Sequence, residues 1–542
     1  MEPPVKHLTR VLLAFSLLAL PACGAQSAQS APNAESATLI WAIETQPVTF
    51  NPHLWAQNKA RLLVFNQFDA LISRGRDGSF QPWLARSWEV SDDGLTYTLH
   101  LRDDVTFHDG TRFDAAAVKA NFDQLLVPGY NPTVASIQLK AFKKAEVVSP
   151  TTVKITLKEP DALFLDFLAS PYAGQVSPKS LRTAKDLKFG GPDLVGTGPF
   201  ILDRYIQGQE VRYRRNPDYD WPPASAEHRG PAHLEEITYR FLPEAAVRVG
   251  ALTSGQVQVI EGVPATETNL IEKDPDLTLM TSLNSGTSYS YYFNTSHPPF
   301  DDQRVREAFR EAVDVDAVLR SVYQGTATRA WSIVGKKSPF YDATLERTYG
   351  GDVAKANALL DAAGWTERDA QGFRVKDGKR LTVREVASAP FVRDRRDVLA
   401  QAIQAQVKQN AGIDFQVKIV DQGTAQRTID DNQYEIFGNS RGDSDAGAAL
   451  NLILTSEGAI NRARYSDPRL DKWLATASAT SDQAERADLY AKVQRTAVLE
   501  KAIVFPLYVP ADQIAAHKSV QGLGFDPASG TPASAYDVRI GT

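Results

Sequence analysis

Cysteine is nearly missing from this chain: there is one, Cys23, in 542 residues. An intramolecular disulfide is therefore excluded, and stability has to come from burial and hydrogen bonding. Metal-site patterns are missing as well. The eight histidines are scattered with no His-x-x-x-His pair, which removes the usual zinc helix. His100 falls on the polar face of an alternating stretch and His108 in the turn after it, so both are expected at the surface rather than as ligands. The run Gly196-Thr197-Gly198-Pro199 lacks the third glycine of a dinucleotide fingerprint and the Lys-Ser/Thr of a phosphate loop, so it is expected to be a tight turn. Asp92-Asp93-Gly94 and Asp103-Asp104 flank strand patterns as turn formers do. With no nucleophile paired to a base, no metal set and no cofactor motif, the chain is not expected to be an enzyme. A formal net charge of −6 gives no basic footprint for nucleic acid.

Long apolar runs are also scarce, and the one that exists sits at the start. Residues 11–20 are greasy, Lys6 and Arg10 precede them, and Leu20-Pro21-Ala22-Cys23 follows. The run is shorter than the roughly 20 apolar residues of a membrane span but fits a secretory signal. Cleavage before Cys23 would leave an acylated mature N-terminus, as at a bacterial lipobox, although Pro21 departs from the Ala, Ser or Thr more usual there. Cleavage near Ala25 with simple secretion is the alternative. Residues 1–22 are thus expected to be a signal peptide. Residues 23–38, rich in Ala, Ser and Gln, are expected to form a disordered tether.

Beyond the tether, strand and helix patterns alternate. Tyr97, Leu99 and Leu101 fall on one face of an alternating stretch, and residues 153–157 repeat the pattern. Asp114 is placed to cap a helix carrying Val118, Phe122 and Leu125. Asp302 opens another, with Val305, Ala308, Phe309, Ala312 and Val313 on one stripe, and a further helix runs from Asp352 to a Gly364 cap. A strand over 381–386, a helix through Leu399, Ile403 and Val407 closed by Gly412, and a strand through Phe415, Val417 and Ile419 form a crossover unit. Such a unit predicts a parallel pair, with ligands beyond the carboxyl ends of its strands.

These local patterns join into a longer one. The segment Asp77-Gly78-Ser79-Phe80-Gln81-Pro82-Trp83-Leu84-Ala85-Arg86-Ser87-Trp88-Glu89, followed by Asp92-Asp93-Gly94-Leu95-Thr96-Tyr97 and Leu101-Arg102-Asp103-Asp104-Val105-Thr106-Phe107-His108-Asp109-Gly110, strongly resembles the signature of family 5 extracellular solute-binding proteins. Phe50-Asn51-Pro52-His53, the Gly196 turn, Phe293-Asn294-Thr295 and Phe505-Pro506-Leu507-Tyr508 follow in family order. The resemblance implies an α/β, two-lobed fold of the periplasmic-binding-protein type (class II) with an extra subdomain on lobe one. It places lobe one at 39–291, lobe two at 292–505 and a C-terminal return to lobe one at 506–542, with crossings near Tyr292 and Phe505. It also implies a binding component of an ABC importer for peptides, nickel or similar small solutes, working with permease and ATPase subunits. The component is expected to be a lipid-anchored monomer outside the cell membrane or in the periplasm. A ligand-sensing lipoprotein on the same fold is the alternative role.

The resemblance further nominates ligand contacts. Peptide-binding members carry a Trp-rich, Asp-containing loop after a lobe-two strand. Here that loop reads Asn439-Ser440-Arg441-Gly442-Asp443-Ser444-Asp445-Ala446-Gly447, without the tryptophan and with an arginine. Arg441 is expected to meet an anionic group and Asp443 or Asp445 a cationic one, or else the charges pair with each other in solvent. Trp55 is the aromatic-wall candidate by likeness to nickel-binding members, with a core role as the alternative. Those members place an arginine in the segment that here reads Tyr172-Ala173-Gly174-Gln175-Val176-Ser177-Pro178; its absence favours a peptide or other organic solute over a metal chelate. Tyr289 and Tyr291 share one strand face at the predicted crossing and are candidates to face the cleft, whereas packing is preferred for Tyr292.

Overall fold

The computed structural model describes residues 37–54, 61–75, 77–130, 135, 139–442, 445–527 and 529–541. Cys23, Trp55 and Asp443 lie outside the described residues. Two large sheets divide the described chain. The first has seven strands in the order Leu277–Leu283, Ala511–His517, Val259–Glu261, Thr38–Ile43, Glu236–Phe241, Glu210–Arg215 and Phe200–Ile206. Its central strand runs parallel to both neighbours and is buried on both sides, Leu39, Trp41 and Ile43 toward the main core and Ala42 toward a smaller one. Continuous apolar runs suit such a position. The second sheet has six strands: Thr328–Arg329, Val504–Val509, Tyr289–Phe293, Ile436–Asn439, Thr382–Ser388 and Asp414–Val420. Each sheet anchors one lobe with its own apolar core.

A four-stranded antiparallel sheet forms the extra subdomain on lobe one: Ala85–Val90, Thr96–Leu101, Thr152–Leu157 and Phe142–Ser149. Tyr97, Leu99 and Leu101 point inward as their alternation predicts, and helix Ala115–Leu125 packs on the neighbouring strands Phe142–Ser149 and Thr152–Leu157, with Phe122 stacked on Phe142. Asp114 caps that helix, its carboxylate accepting the Ala117 N–H at 2.8 Å. In lobe two the crossover unit forms as expected: strands Thr382–Ser388 and Asp414–Val420 are parallel, joined by helix Arg396–Ala411, which Gly412 ends in the left-handed region. The helix opened by Asp302 is shorter than its stripe, running Gln303–Glu311, because Asp314 caps a new helix, Val315–Tyr323; Ala312 and Val313 stay buried in the bend between them.

The chain crosses between lobes at residues 284–288 and at Pro510, not near Tyr292 and Phe505. Strand continuity is the reason. Ser290 to Phe293 pair along Ile436–Asn439, and Tyr289 already pairs with Tyr508, so both tyrosines belong to lobe two. The two crossings touch, the Asn284 N–H donating to the Pro510 carbonyl at 2.8 Å.

Two small expectations fail. His108 is half-buried rather than exposed: its Nε2 lies 2.9 Å from the Gly198 carbonyl, and burial lowers its pKa to about 4. The Gly196 turn is a buried packing element, not merely a tight turn. A Cβ at Gly196 or Gly198 would overlap the Gln67 backbone, and the Thr197 hydroxyl between them donates to Asp69 at 2.9 Å.

Candidate functional site

A cavity of about 460 Å³ opens between the lobes at the carboxyl ends of Thr382–Ser388 and Ile436–Asn439. Lobe one contributes Glu44 and Thr45, which follow its central strand, and Tyr172; lobe two contributes the rest. Its size falls within the range of small-molecule sites, roughly 300–1,000 Å³. Arg393, Arg396, Arg441 and Arg462 line it against Glu44, Glu385 and Asp397, so guanidiniums outnumber carboxylates.

Arg396 is the most firmly held of these. It opens helix Arg396–Ala411 on the same stripe as Leu399, Ile403 and Val407, which carries it to the sheet rather than to solvent. Its guanidinium carbon sits 4.2 Å from the centre of the Tyr289 ring. Nε donates to the Tyr508 hydroxyl at 3.0 Å, and Nη2 to the Ser440 hydroxyl at 2.9 Å. The two residues before it, Asp394 and Arg395, both have positive φ, and the Tyr323 hydroxyl holds the Asp394 carbonyl at 2.7 Å. Left-handed backbone at consecutive non-glycine residues costs about 1–3 kcal/mol each and tends to cluster at ligand sites.

Arg441 is positioned from the crossing. The Thr287 N–H donates to the Arg441 carbonyl at 2.8 Å, and the Arg441 N–H donates back to the Thr287 hydroxyl at 2.8 Å. The loop after Ile436–Asn439 is thereby fastened to the segment about which the lobes would move.

Glu385 is the unusual member. It shares its strand face with Val383 and Ala387, is 3% exposed, and its Oε2 has no hydrogen-bond partner among the described residues. Burial raises its carboxyl to about 7, opposed by the Tyr291 hydroxyl beside it and by the charge of Arg396.

Of the residues nominated from sequence, Tyr289, Asn439 and Arg441 line this cavity. Tyr291 does not: it shares the face of Tyr289 but lies further along the strand within the lobe-two core, fully buried and 6.0 Å from the Phe415 ring. Asp445 is also turned away. It caps helix Ala446–Leu454 by accepting the Gly447 N–H at 2.7 Å, and Arg486 Nη2 donates to both its oxygens at 2.9 Å. A buried carboxylate paired with Arg486 and capping a helix is held in the structure, and it does not line the cavity. Glu385 and Arg396 were missed. The signal was available, since each places a charge on an apolar stripe, but only packing tells such a residue from a stray surface charge.

The lobes also meet beside the cavity. The Ala162 N–H of lobe one donates to the Ser478 carbonyl of lobe two at 2.8 Å. The Asp166 carboxyl is raised by burial and then by the Asp445 charge, against its ion pair with Arg74. A smaller cavity of about 200 Å³ lies in lobe one around Asp69. The Asp69 carboxylate accepts from Thr197, Tyr219 and Trp221 and reads as a saturated structural acid. Among the described residues no group of His, Cys, Asp and Glu could hold a metal ion, and no helix is long and apolar enough to cross a membrane.

Known proteins resemble the chain along nearly its whole length. Residues 79–461 match the family model described as bacterial extracellular solute-binding proteins, family 5. Glutathione-binding protein GsiB of Escherichia coli O1:K1 is 30% identical over 507 residues, covering 91% of this chain and 93% of GsiB. The structure of NikA from Brucella suis in complex with Fe(III)-EDTA is similar at 26% identity and a TM-score of 0.82, covering 93% of this chain and 99% of NikA. AgaA from A. tumefaciens R10, in complex with agropinic acid, is similar at 27% identity and a TM-score of 0.77, covering 93% and 99%.

Proposed function

Since the chain belongs to the family 5 bacterial extracellular solute-binding proteins, we propose that its inter-lobe cavity captures a short anionic peptide or similar small organic acid and delivers it to an ABC permease and its ATPase. The observation that carries this reading is the surplus of guanidinium over carboxylate in the cavity lining. Arginine forks match carboxylates bidentately, and Arg396 is already oriented by its partners before any solute arrives. GsiB is named for glutathione, a tripeptide with two carboxylates and one ammonium, and that charge pattern suits this lining. NikA and AgaA were solved with carboxylate-bearing ligands, which the same lining would also accept.

No covalent step is required. A solute that touches both lobes binds the closed form better than the open one, and that difference drives closure about residues 284–288 and Pro510. The protein works as a monomer, exported and held at the membrane by acylation of Cys23, while the permease reads the closed form.

The test is calorimetry on full-length protein stripped of copurified solute by unfolding and refolding. The probes are glutathione, acidic dipeptides, neutral dipeptides and the nickel–histidine complex. Glutathione and the acidic dipeptides are expected to bind most tightly. Arg441→Ala is expected to weaken them by roughly 30-fold or more, since truncating a desolvated charged partner costs about 2–5 kcal/mol. If the neutral dipeptides or the nickel complex bind and the anionic probes do not, the reading is wrong. If Arg441→Ala changes affinity less than twofold, Arg441 belongs to a solvated turn.

A further inference from the structure

We infer that Glu385 is the seat for a cationic group of the solute, a primary ammonium such as the α-amino group of an amino acid or peptide. The inference rests on the cavity being the solute site and adds a second charge to the solute's description.

Three observations converge on this carboxylate. It lines the cavity while almost wholly buried, and its Oε2 is unpartnered among the described residues. Leaving such an acceptor unmatched is costly, so one on a side chain that lines a cavity marks where a donor is to arrive. Second, the strand opposite is cleared for it: a Cβ at Gly438 would stand 2.9 Å from Glu385 Oε1 and would overlap the Tyr289 hydroxyl. Any larger residue at 438 would push the carboxylate aside. Third, of the two acids that the family resemblance nominates for a peptide amine, Asp445 is otherwise employed, held on both oxygens by Arg486, and Asp443 lies outside the described residues. An ammonium brings both donors and the opposite charge to such a carboxylate, whereas a hydroxyl brings one donor and no charge.

Protonation sharpens the choice. Around Glu385 stand the neutral hydroxyls of Tyr289 and Tyr291 and the guanidinium of Arg396, already engaged with Tyr508 and Ser440. With its carboxyl near 7, the empty site holds a proton for much of the time at neutral pH. An arriving ammonium would expel it, so binding of an amine-bearing solute releases protons and tightens as pH rises from 6 to 8.

The experiment compares matched probes on the full chain: glutathione and N-acetylglutathione, Ala-Glu and N-acetyl-Ala-Glu, each titrated into wild type, Glu385→Gln and Asp443→Asn. Titrations run in two buffers of different ionisation enthalpy, so that proton release is read directly. For wild type, acetylation is expected to cost roughly 30-fold or more, and the free amines to release a measurable fraction of a proton at pH 7. Glu385→Gln should lose affinity for the free amines to a similar degree, bind the acetylated probes within threefold of wild type and release no proton. Acetylation is a change on the solute, so the wild-type arm stands even if Glu385→Gln folds poorly. Equal binding of free and acetylated probes by wild type overturns the inference and leaves the anionic-solute reading standing. Loss confined to Asp443→Asn overturns it in favour of the loop. Failure of every probe to bind wild type removes the solute reading, and this inference with it.

Discussion

Glu385 occupies a strand position where alternation calls for an apolar side chain, and the energetic consequence is measurable without any solute. Its carboxyl ionises near 4.5 in an unfolded chain and near 7 in the fold, because burial disfavours the charged form. The folded state therefore keeps a proton that the unfolded state has already released, and stability from this group is full below 4.5 and lost as pH rises through 7. Glutamine cannot ionise, so Glu385→Gln should be the more stable protein at pH 8 by about 3 kcal/mol, and near parity at pH 4.5. Denaturant melts at the two pH values check this. A stability difference that is the same at both would show that the carboxyl is not desolvated as described.

At the scale of elements, the crossing and the binding loop act as one unit because Thr287 and Arg441 exchange hydrogen bonds through three backbone groups and one hydroxyl. Thr287 is 1% exposed. Thr287→Val keeps the branched shape but removes the acceptor of the Arg441 N–H, which costs about 1–3 kcal/mol when such a donor is left unmatched. The expected result is faster hydrogen exchange at the Arg441 amide, with solute affinity falling roughly 5- to 100-fold. Unchanged exchange and affinity would mean that the loop is held from elsewhere. Asp445 shows the opposite kind of coupling. Its pair with Arg486 and its cap on Ala446–Leu454 are local and structural, although it sits in the loop where a ligand acid was expected.

For the whole molecule, the decisive variable is where it works. The greasy run over residues 11–20 and the single cysteine behind it predict a lipid anchor, and stable anchoring generally needs more than one acyl chain, as a lipoprotein N-terminus supplies. Cys23→Ala should move the protein from the membrane fraction into a soluble one. Should the variant stay with membranes, and intact mass of the wild type show no acyl chains, the acyl anchor at Cys23 is wrong.

The sequence alone determined what depends on neighbours along the chain. Strand Thr96–Leu101, the helices capped by Asp114 and Asp302, and the parallel unit around Arg396–Ala411 follow from periodicity, caps and glycine stops within a few residues of each other. The family, and through it the two-lobed fold, followed from an ordered string of motifs. Tertiary structure alone decided which side chains meet across long separations. Glu385, Gly438 and Tyr289 come together only because their strands share one sheet. Arg486 reaches Asp445 only because the helices that carry them pack in lobe two, and that contact takes a nominated ligand residue out of the cleft. Whether a charge on an apolar stripe is a stray or a site depends on the desolvation around it, and desolvation is set by the whole fold rather than by the segment.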